Sequence, residues 1–427
     1  MPTFREGDPQ HYLLCAVGSS GDVHPFVGLG RRLRERGHRV TLITAGYFRR
    51  LAEDSGFEFI DTMPHCDFTE LINDPLLWHP IHGTRRVMQL AVQKNLEPTY
   101  RAIASNYKPG STRVVASTLA FGARVAEEKL SVPLVTVHLS PVLFRSQFEG
   151  PRLPYLLMHR GPAWWKRFQW WVADRSVIDP MICPWLNAFR GTLGLPPVKR
   201  IFKDWWHSPR RVIAMFPEWF AAKQPDWPSQ TVLTGFPLYS EEGVTPMPEA
   251  LQAFLEEGPP PIVFTPGSAN IFGAKFFAEG AEACRRLKQR GVFLTRFPEQ
   301  IPGDLPEGVR HFDYAPFREL LPRSAMLVHH GGIGSMSQAM AAGIPQLIMP
   351  MAFDQLDNAD RVRKLGLGGY LVPNQFQADR LVTRMGGLLN DSEVKRCCRE
   401  AAERIASVDA LSVACDVIES TLNQESQ

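Results

Sequence analysis

The stretch VHHGGIGSMSQAMAAGIPQLIMPMAFDQLDNA, residues 328–359, decides the fold. It leads from a histidine pair through three closely spaced glycines into an apolar run with helical spacing. A Gly-Ile-Pro turn then opens a second short apolar run, which is followed by Asp354 and Gln355. Short apolar runs joined by helices are typical of buried parallel strands. The stretch therefore predicts strand, helix and strand, with polar side chains after each strand.

The same alternation recurs in both halves of the chain and predicts an α/β protein with two Rossmann-like domains facing across a cleft. The expected strands are Tyr12–Val17, Arg39–Thr44, Arg113–Ser117, Pro133–Val137, Pro261–Thr265, Val292–Arg296, Met326–His329 and Gln346–Pro350. The expected helices include Phe26–Arg36, Ala120–Lys129 and Phe276–Arg290. We expect domains at 1–236 and 251–427, a linker at 237–250, and a last helix that could pack back on the first domain.

Composition excludes several classes of protein. With 47 basic and 44 acidic residues the net charge is only +3, which does not support a nucleic-acid partner. The seven cysteines form no CxxC pair and the chain has no Asp-x-Asp pair, so no metal site is expected. No apolar run is long enough to cross a membrane. We expect a cytoplasmic protein without a bound cofactor, and the sequence does not indicate its oligomeric state.

The HGGIGS turn has the chemistry of an anion site. Glycines permit a sharp turn into a helix that we expect to begin near Ser335. The N–H groups of Gly334, Ser335 and Met336 would then point out of a helix N-terminus, with His330 as a further donor. Asp354 follows the next strand and, with its amide neighbour, suits sugar hydroxyls. An ordinary strand–helix turn is the alternative explanation of HGGIGS.

Four motifs occur in one order and with matching spacing in the second half. They are Tyr314-Ala315-Pro316, His330-Gly331-Gly332-Ile333-Gly334-Ser335, Gly343-Ile344-Pro345 and Asp354-Gln355. This series resembles the nucleotide-sugar site of the plant secondary-metabolite, antibiotic and sterol glycosyltransferases, which have the GT-B fold and work without a metal. The resemblance implies a nucleotide-sugar donor held by this half.

The resemblance also implies a role for each residue of the donor site. The base would contact Tyr314, Ala315 and Phe317; the diphosphate would contact Ser268, His330, Gly332, Gly334 and Ser335; the sugar would contact Asp354 and Gln355. Phe317 stands where plant members carry glutamine, which is compatible with a thymidine donor and puts uridine selectivity in doubt.

GSSGDVHPFVGLGRRLRERGHRVTLIT, residues 18–44, resembles the acceptor-side loop of the same family, especially in its bacterial antibiotic branch. Asp22 occupies the position of the catalytic base, which in an inverting transfer takes the proton of the acceptor hydroxyl. His24 is the rival base. The alternatives are that Asp22 is only a helix N-cap before Pro25 and that His24 is a spectator on the other side of the turn.

Nine of the ten tryptophans lie between positions 164 and 227, inside a helical insertion at about 141–230. Helical spacing places Trp164, Phe168 and Trp171 on one face. Three interpretations stay open: packing of the insertion on the first domain, a hydrophobic acceptor pocket, or a peripheral contact with the inner membrane.

A finer resemblance rests on NDPLLWHP (73–80), PVKRIFKDWWHSP (197–209), FPEWFAAKQPDWP (216–228) and TGFPLYS (234–240). These segments are similar to the rhamnolipid-type rhamnosyltransferases and to bacterial flavonoid rhamnosyltransferases. That similarity implies transfer of L-rhamnose from dTDP-β-L-rhamnose, with inversion, to a hydroxyl of a flavonoid, a phenol or a hydroxyalkanoyl lipid. The alternatives are a glucosyltransferase using UDP- or dTDP-glucose, a nucleotide-sugar epimerase or hydrolase, and a non-catalytic nucleotide-sugar-binding subunit.

Overall fold

The computed structural model describes residues 9–64, 69–70, 73–79, 82–153, 158–239, 246–268 and 270–423. Contacts divide the chain into two compact units, one of 1–237 with 409–427 and one of 238–408. Within the linker expected at 237–250, residues 240–245 lie outside the described residues, as does Pro80 of the NDPLLWHP segment.

The first unit is built on a parallel sheet of seven strands in the order β3-β2-β1-β4-β5-β6-β7. The strands are β1 His11–Cys15, β2 Arg39–Ala45, β3 Glu58–Met63, β4 Thr112–Ser117, β5 Leu134–His138, β6 Arg211–Ala214 and β7 Thr231–Leu233. The helices are α1 Ser20–Glu35, α2 Arg49–Asp54, α3 His82–Arg86, α4 Lys94–Asn106, α5 Phe121–Leu130, α6 Ala163–Ala173 and α7 Asp179–Thr192, with a π-helical turn Val87–Gln93 joining α3 to α4.

The second unit repeats the architecture with six parallel strands in the order β10-β9-β8-β11-β12-β13. The strands are β8 Ile262–Thr265, β9 Gly291–Leu294, β10 Val309–Phe312, β11 Met326–His329, β12 Gln346–Ile348 and β13 Gly368–Tyr370. The helices are α8 Glu249–Glu256, α9 Ala274–Leu287, α10 Phe317–Leu320, α11 Ile333–Ala341, α12 Gln355–Lys364, α13 Ala378–Asn390 and α14 Ser392–Ala406. The expected α/β class with two Rossmann-like domains is confirmed.

Helices cover both faces of the second sheet. On β8, Phe264 packs into one buried cluster and its neighbour Val263 into the other, because successive side chains of a strand point to opposite faces. On β11, Val328 and Leu327 divide in the same way. Burial on both faces explains why these strands read as uninterrupted apolar runs.

The last helix, α15 Ala410–Asn423, belongs to the first unit. Its side chains form ion pairs with the end of α1, where Arg36 lies 2.7 Å from Asp416 and 2.6 Å from Glu419. Glu419 also contacts His38 at 2.9 Å. The C-terminal helix is thus fastened to α1 by charge as well as by packing. None of the helices in the described ranges is long and apolar enough to cross a membrane.

Some element boundaries differ from the expectation. α1 begins at Ser20 instead of Phe26, because Ser19 caps it and Pro25 is tolerated close to its start. α9 ends at Leu287, before the expected stop at Gly291, because Lys288 adopts a left-handed conformation with φ of 51°.

Candidate active site

Three neighbouring strands of the second unit end at one edge of its sheet. In the strand register His329, the last residue of β11, pairs with Thr265 of β8 on one side and with Ile348 of β12 on the other. Carboxyl ends of parallel strands form the usual ligand edge of such sheets. The turn after β8, the HGGIGS turn after β11 and the Asp354-Gln355 pair after β12 therefore start from adjacent positions.

The HGGIGS turn leads directly into α11, which begins at Ile333 and has Gly332 as its N-cap. The expectation that the helix begins near Ser335 is therefore wrong by two residues. The N–H of Met336 already donates to the Gly332 carbonyl at 3.0 Å, so it belongs to the helix and not to an anion site. The first-turn donors are instead Ile333, Gly334 and Ser335, whose N–H groups have no acceptor within the helix. A helix N-terminus of this kind favours an anion.

His330 is held between two glycines. A Cβ atom built on Gly267 would lie 2.8 Å from the ring Cε1, and one built on Gly332 would lie 2.5 Å from the ring Nε2. Only glycine allows both backbones to approach the imidazole this closely. Burial lowers the pKa of His330 to about 4, so the ring is neutral at pH 7 and acts as an N–H donor without a charge.

The other histidine of the pair, His329, lies in the interior and was not singled out by the sequence analysis. Its Nδ1 accepts the N–H of Gly331 at 3.1 Å, so its Nε2 carries the proton and donates to Gln346 at 3.0 Å. Burial lowers the pKa of His329 to about 3 and keeps it neutral. Strand alternation could have indicated that only one of two consecutive histidines faces the site. His329 fixes the turn that presents its neighbour.

The Asp354-Gln355 pair begins α12. The Gln355 side-chain oxygen accepts hydrogen bonds from the N–H groups of Met351 at 2.7 Å and Ala352 at 3.1 Å. This oxygen therefore stabilises the loop between β12 and α12. Gln355 is only 3% exposed, and its NH₂ group is the side-chain polar group that these two contacts do not use. Asp354 Oδ2 accepts a hydrogen bond from Asn358 at 2.8 Å. Asn358 is a second residue that the sequence analysis missed, although it stands one helical turn after Asp354.

The remaining residues predicted for the donor site differ in how far their side chains are exposed. Tyr314 is half-buried, with the Arg296 guanidinium 5.8 Å from its ring centre. The Ala315 methyl is buried in the core, so this residue could meet a base only through its backbone. Phe317 opens α10 and is half-buried. Ser268 is exposed in the turn after β8.

Asp22 lies in the first turn of α1. The N–H and hydroxyl of Ser19 donate to its Oδ2 at 2.8 and 3.2 Å, so the N-cap is Ser19, and Asp22 takes part in capping as the third helical residue of a capping box and not as the N-cap itself. Gly18 has φ of 138°, and a Cβ there would overlap the Asp22 carboxylate. Burial raises the pKa of Asp22 to about 6, against the lowering effect of the Ser19 hydrogen bonds. The carboxylate is thus ionised at neutral pH yet a stronger base than usual.

His24 is also partly exposed on α1. Residues two apart on a helix do not face each other, so His24 and Asp22 project in different directions. The helix therefore presents the two candidate bases to different surroundings.

In the first unit, a series of hydrogen-bonded neutral side chains connects the segment before β6 with the ends of β5 and β4. Trp206 Nε1–H can only donate, and it reaches His207 Nε2 at 3.1 Å. His207 Nδ1–H must then donate to His138 Nε2 at 2.8 Å, and His138 Nδ1–H to Thr118 Oγ1 at 2.5 Å. The Thr118 hydroxyl donates to the Val137 carbonyl at 3.1 Å. A proton added to either ring would break this series.

We expect His207 and His138 to destabilise the first unit in acid, against the opposite effect of Asp22 and Glu127, whose pKa values burial raises to about 6 and about 7. Burial, followed by the charges of Arg145 and Arg124, lowers the pKa of His207 to about 3, and burial also holds the pKa of His138 well below its usual value. The stability that a neutral buried histidine contributes is present above pH 6.5, its pKa in the unfolded chain. For His207 it is lost as pH falls from there toward 3. For His207 the loss should be ~2 kcal/mol at pH 5.

Tryptophan fluorescence measures this directly, because all ten tryptophans precede Pro237 and report the first unit. Urea unfolding at pH 8 and pH 5 isolates the contribution of His207 when variants are compared: on acidification wild type should lose more stability than His207→Gln by about 2 kcal/mol. His82→Gln, at an exposed histidine, should lose as much stability as wild type. An equal pH response of wild type and His207→Gln would contradict the assignment.

The aromatic face of α6 points to solvent. Trp164 is 67% exposed, Phe168 48% and Trp171 58%, so the packing interpretation of these three residues is wrong. The rings of Phe168 and Trp171 stack, with centres 6.0 Å apart. The buried residue of this helix is Lys166, whose ammonium donates to the Phe148 carbonyl at 2.7 Å. The apolar face of α6 is therefore exposed to solvent, and a basic side chain is buried on the helix instead.

Family models match both halves of the chain. The N-terminal domain of glycosyltransferase family 28 matches residues 12–148. The C-terminal domain of the erythromycin biosynthesis protein CIII-like group (EryCIII-like) matches residues 296–419. The first match contains Asp22, and the second contains the HGGIGS turn and Asp354.

A curated relative matches almost end to end. The O-mycaminosyltylonolide 6-deoxyallosyltransferase of Streptomyces fradiae is 30% identical over 428 residues, which is 95% of this chain and 96% of the relative. The chain belongs to the family 28, EryCIII-like glycosyltransferases. This glycosyltransferase accordingly uses a nucleotide-sugar donor, and the resemblance inferred from the sequence is confirmed at the level of the family.

Solved structures confirm the GT-B fold of this glycosyltransferase. The glycotransferase of kitacinnamycin superposes with a TM-score of 0.74 at 20% identity, covering 97% of this chain and 99% of the other. The spinosyn rhamnosyltransferase SpnG complexed with thymidine diphosphate superposes with a TM-score of 0.66 at 16% identity, covering 95% and 98%. Among the described residues, no group of three or more acidic, histidine or cysteine side chains could hold a metal ion.

Proposed function

We propose that this glycosyltransferase moves L-rhamnose from dTDP-β-L-rhamnose, with inversion, to a hydroxyl of a hydrophobic acceptor. The observation that carries the nucleotide-sugar part is the turn in which His330, fixed between two glycines, stands beside the first-turn N–H groups of α11. The rhamnose and thymidine parts rest on the subgroup resemblance and on Phe317 at the base position. A thymidine diphosphate complex of a rhamnosyltransferase with the same fold is compatible with both.

In this proposal Asp22 is the general base. Its carboxylate takes the proton of the acceptor hydroxyl as that oxygen attacks the anomeric carbon, and the bond from that carbon to the diphosphate oxygen breaks. The electron pair leaves with the diphosphate. A pKa of about 6 keeps the base ionised at pH 7 while giving it useful proton affinity. No residue other than Asp22 changes its charge in this step.

The charge that develops on the leaving diphosphate would be met by oriented dipoles. Neutral His330 donates one N–H group, and Ile333, Gly334 and Ser335 offer backbone N–H groups at the start of α11. Donors fixed before the reaction stabilise such a charge without reorganisation. Asp354 and the NH₂ group of Gln355 would hold the sugar hydroxyls.

The direct test is product mass. One flavonol and one hydroxyalkanoyl lipid are each offered dTDP-L-rhamnose and UDP-glucose, and products are measured by LC-MS. A deoxyhexose gain only with dTDP-L-rhamnose is the expected result, and the reacting acceptor identifies the substrate class. A hexose gain from UDP-glucose would contradict the rhamnose assignment and the interpretation of Phe317. Conversion of the donor without an acceptor would favour the epimerase or hydrolase alternative.

We also propose that the aromatic face of α6 receives the apolar part of the acceptor. Trp171→Gln should raise the KM for the acceptor about 10-fold and leave the donor KM unchanged, because a large apolar contact is lost. The unfolding temperature should not fall, since this side chain is 58% exposed. Steady-state kinetics with each substrate varied in turn measure the effect.

Val408→Gln, which changes an exposed apolar residue of the second unit, is the control and should alter neither KM. Binding of wild type and Trp171→Gln to phosphatidylglycerol vesicles separates the alternative role. An unchanged acceptor KM together with weaker vesicle binding would indicate that this face binds a membrane surface and not the acceptor.

A further inference from the structure

Asn358 joins two parts of the donor site. It lies on α12, its side chain is completely buried, and its backbone N–H donates to the Asp354 carbonyl at 3.0 Å. Its side-chain NH₂ group donates to the Gly331 carbonyl at 3.0 Å and to Asp354 Oδ2 at 2.8 Å. One amide therefore contacts both the backbone of the diphosphate turn and the carboxylate of the sugar pair.

The two parts also touch directly. Gly331 has φ of 94°, and a Cβ on it would lie 2.7 Å from Ile348 Cγ2 and 3.2 Å from the Gln355 carbonyl. The HGGIGS turn thus rests on the end of β12 and the start of α12. The contact is fixed by packing on one side and by the amide of Asn358 on the other.

We infer that Asn358 is a positioning residue that sets the orientation of the Asp354 carboxylate relative to the diphosphate turn. The inference rests on the proposed role of Asp354 in holding the donor sugar. A carboxylate can rotate about its side chain, and a hydrogen bond to one oxygen selects one rotamer. The same NH₂ group also donates to the Gly331 carbonyl. The selected Asp354 rotamer therefore has a fixed position relative to the turn where the diphosphate would bind.

No other residue type of similar size could do this. The geometry needs two hydrogens on one nitrogen, which an amide supplies and a carboxylate or hydroxyl does not. Aspartate at this position would place two carboxylates in contact, and leucine would leave Asp354 Oδ2 without this donor. The turn itself should largely survive either change, because His329 also holds it by accepting the Gly331 N–H at 3.1 Å.

Isothermal titration of the full chain with dTDP and with dTDP-L-rhamnose tests the inference. Asn358→Leu and Asn358→Asp should bind dTDP within about 3-fold of wild type and bind dTDP-L-rhamnose about 10-fold more weakly, because only the sugar contact is misplaced. Asp354→Asn should show the same selective loss. The double variant Asn358→Leu with Asp354→Asn should lose little more than either single variant, since the two residues act as one unit.

Asn390 offers a matched control. It is an exposed asparagine whose side-chain NH₂ donates to the Gly386 carbonyl at 2.9 Å on α13, so Asn390→Leu removes a similar bond away from the site. It should leave both affinities unchanged. If Asn358→Leu does not fold, as judged by circular dichroism, Asn358→Asp carries the test.

The outcomes are distinct. Consider first that Asp354→Asn shows the selective loss of dTDP-L-rhamnose affinity. The inference alone is then overturned if the Asn358 variants lower the affinity for both ligands equally or for neither, or if their effect adds fully to that of Asp354→Asn. An Asp354→Asn variant without a selective loss would show that Asp354 does not hold the sugar, which overturns that part of the proposed function and the inference with it.

Discussion

Asp22→Asn is expected to lower kcat by roughly 10²–10⁴-fold, the usual contribution of a positioned general base. Asparagine has nearly the same shape and can still accept the Ser19 N–H that Asp22 accepts at 2.8 Å. It cannot take a proton from the acceptor hydroxyl. Nucleotide affinity should therefore stay close to that of wild type, as measured by titration with dTDP. The loss should appear in single-turnover product formation as well as in steady-state rate.

The stability of the same variant provides an independent check. Burial raises the pKa of the Asp22 carboxyl to about 6, so the folded protein holds this proton more tightly than the unfolded chain. The stabilising contribution of a group with a raised pKa is present at low pH and is lost as pH rises to 6 and above. A neutral asparagine avoids that loss. The unfolding temperature of Asp22→Asn at pH 7.5 should equal or exceed that of wild type, although activity is lost.

Ser19→Ala and His24→Gln are the companion variants. Ser19→Ala removes the hydroxyl contact with Asp22 and a helix cap, so it should lower stability while leaving most of the rate. His24→Gln should retain most activity. The wild-type rate should fall below about pH 6 as Asp22 gains its proton. An active Asp22→Asn together with an inactive His24→Gln would assign the base to His24.

The sequence pattern predicted the architecture because the signals for strands and helices lie within each segment of the chain. Apolar runs, glycine stops and polar strand ends located eleven strands and helices, including β11 Met326–His329 without error. The start of α1 was missed because capping by Ser19 depends on side-chain geometry that composition does not express. Periodicity also placed Trp164, Phe168 and Trp171 on one face of α6. It could not say which face the protein buries, because that depends on residues distant in sequence.

The site was predictable at the level of motifs and not of atoms. Asp354 and Gln355 could be placed after a strand, but the Gln355 oxygen is used by its own loop, a contact that spacing does not reveal. His329 and Asn358 act through backbone groups of the HGGIGS turn. Their partners are two and 27 residues away in sequence. Residues that support a site in this way carry no motif of their own, and only the folded contacts identify them.

Gly332→Ala is expected to reproduce much of the defect of His330→Ala, although it leaves the histidine in place. A Cβ at Gly332 would stand 2.5 Å from the His330 Nε2 and must displace the ring, while the backbone φ of −61° suits alanine. Both variants should lose about 2–4 kcal/mol of transition-state stabilisation, measured as kcat/KM for the donor. The double variant should lose little more than His330→Ala alone. Gly387→Ala on α13, where a Cβ meets no neighbour, should retain full activity. Full activity in Gly332→Ala would mean that the position of the imidazole does not matter, and full activity in His330→Ala would remove this residue from the diphosphate site.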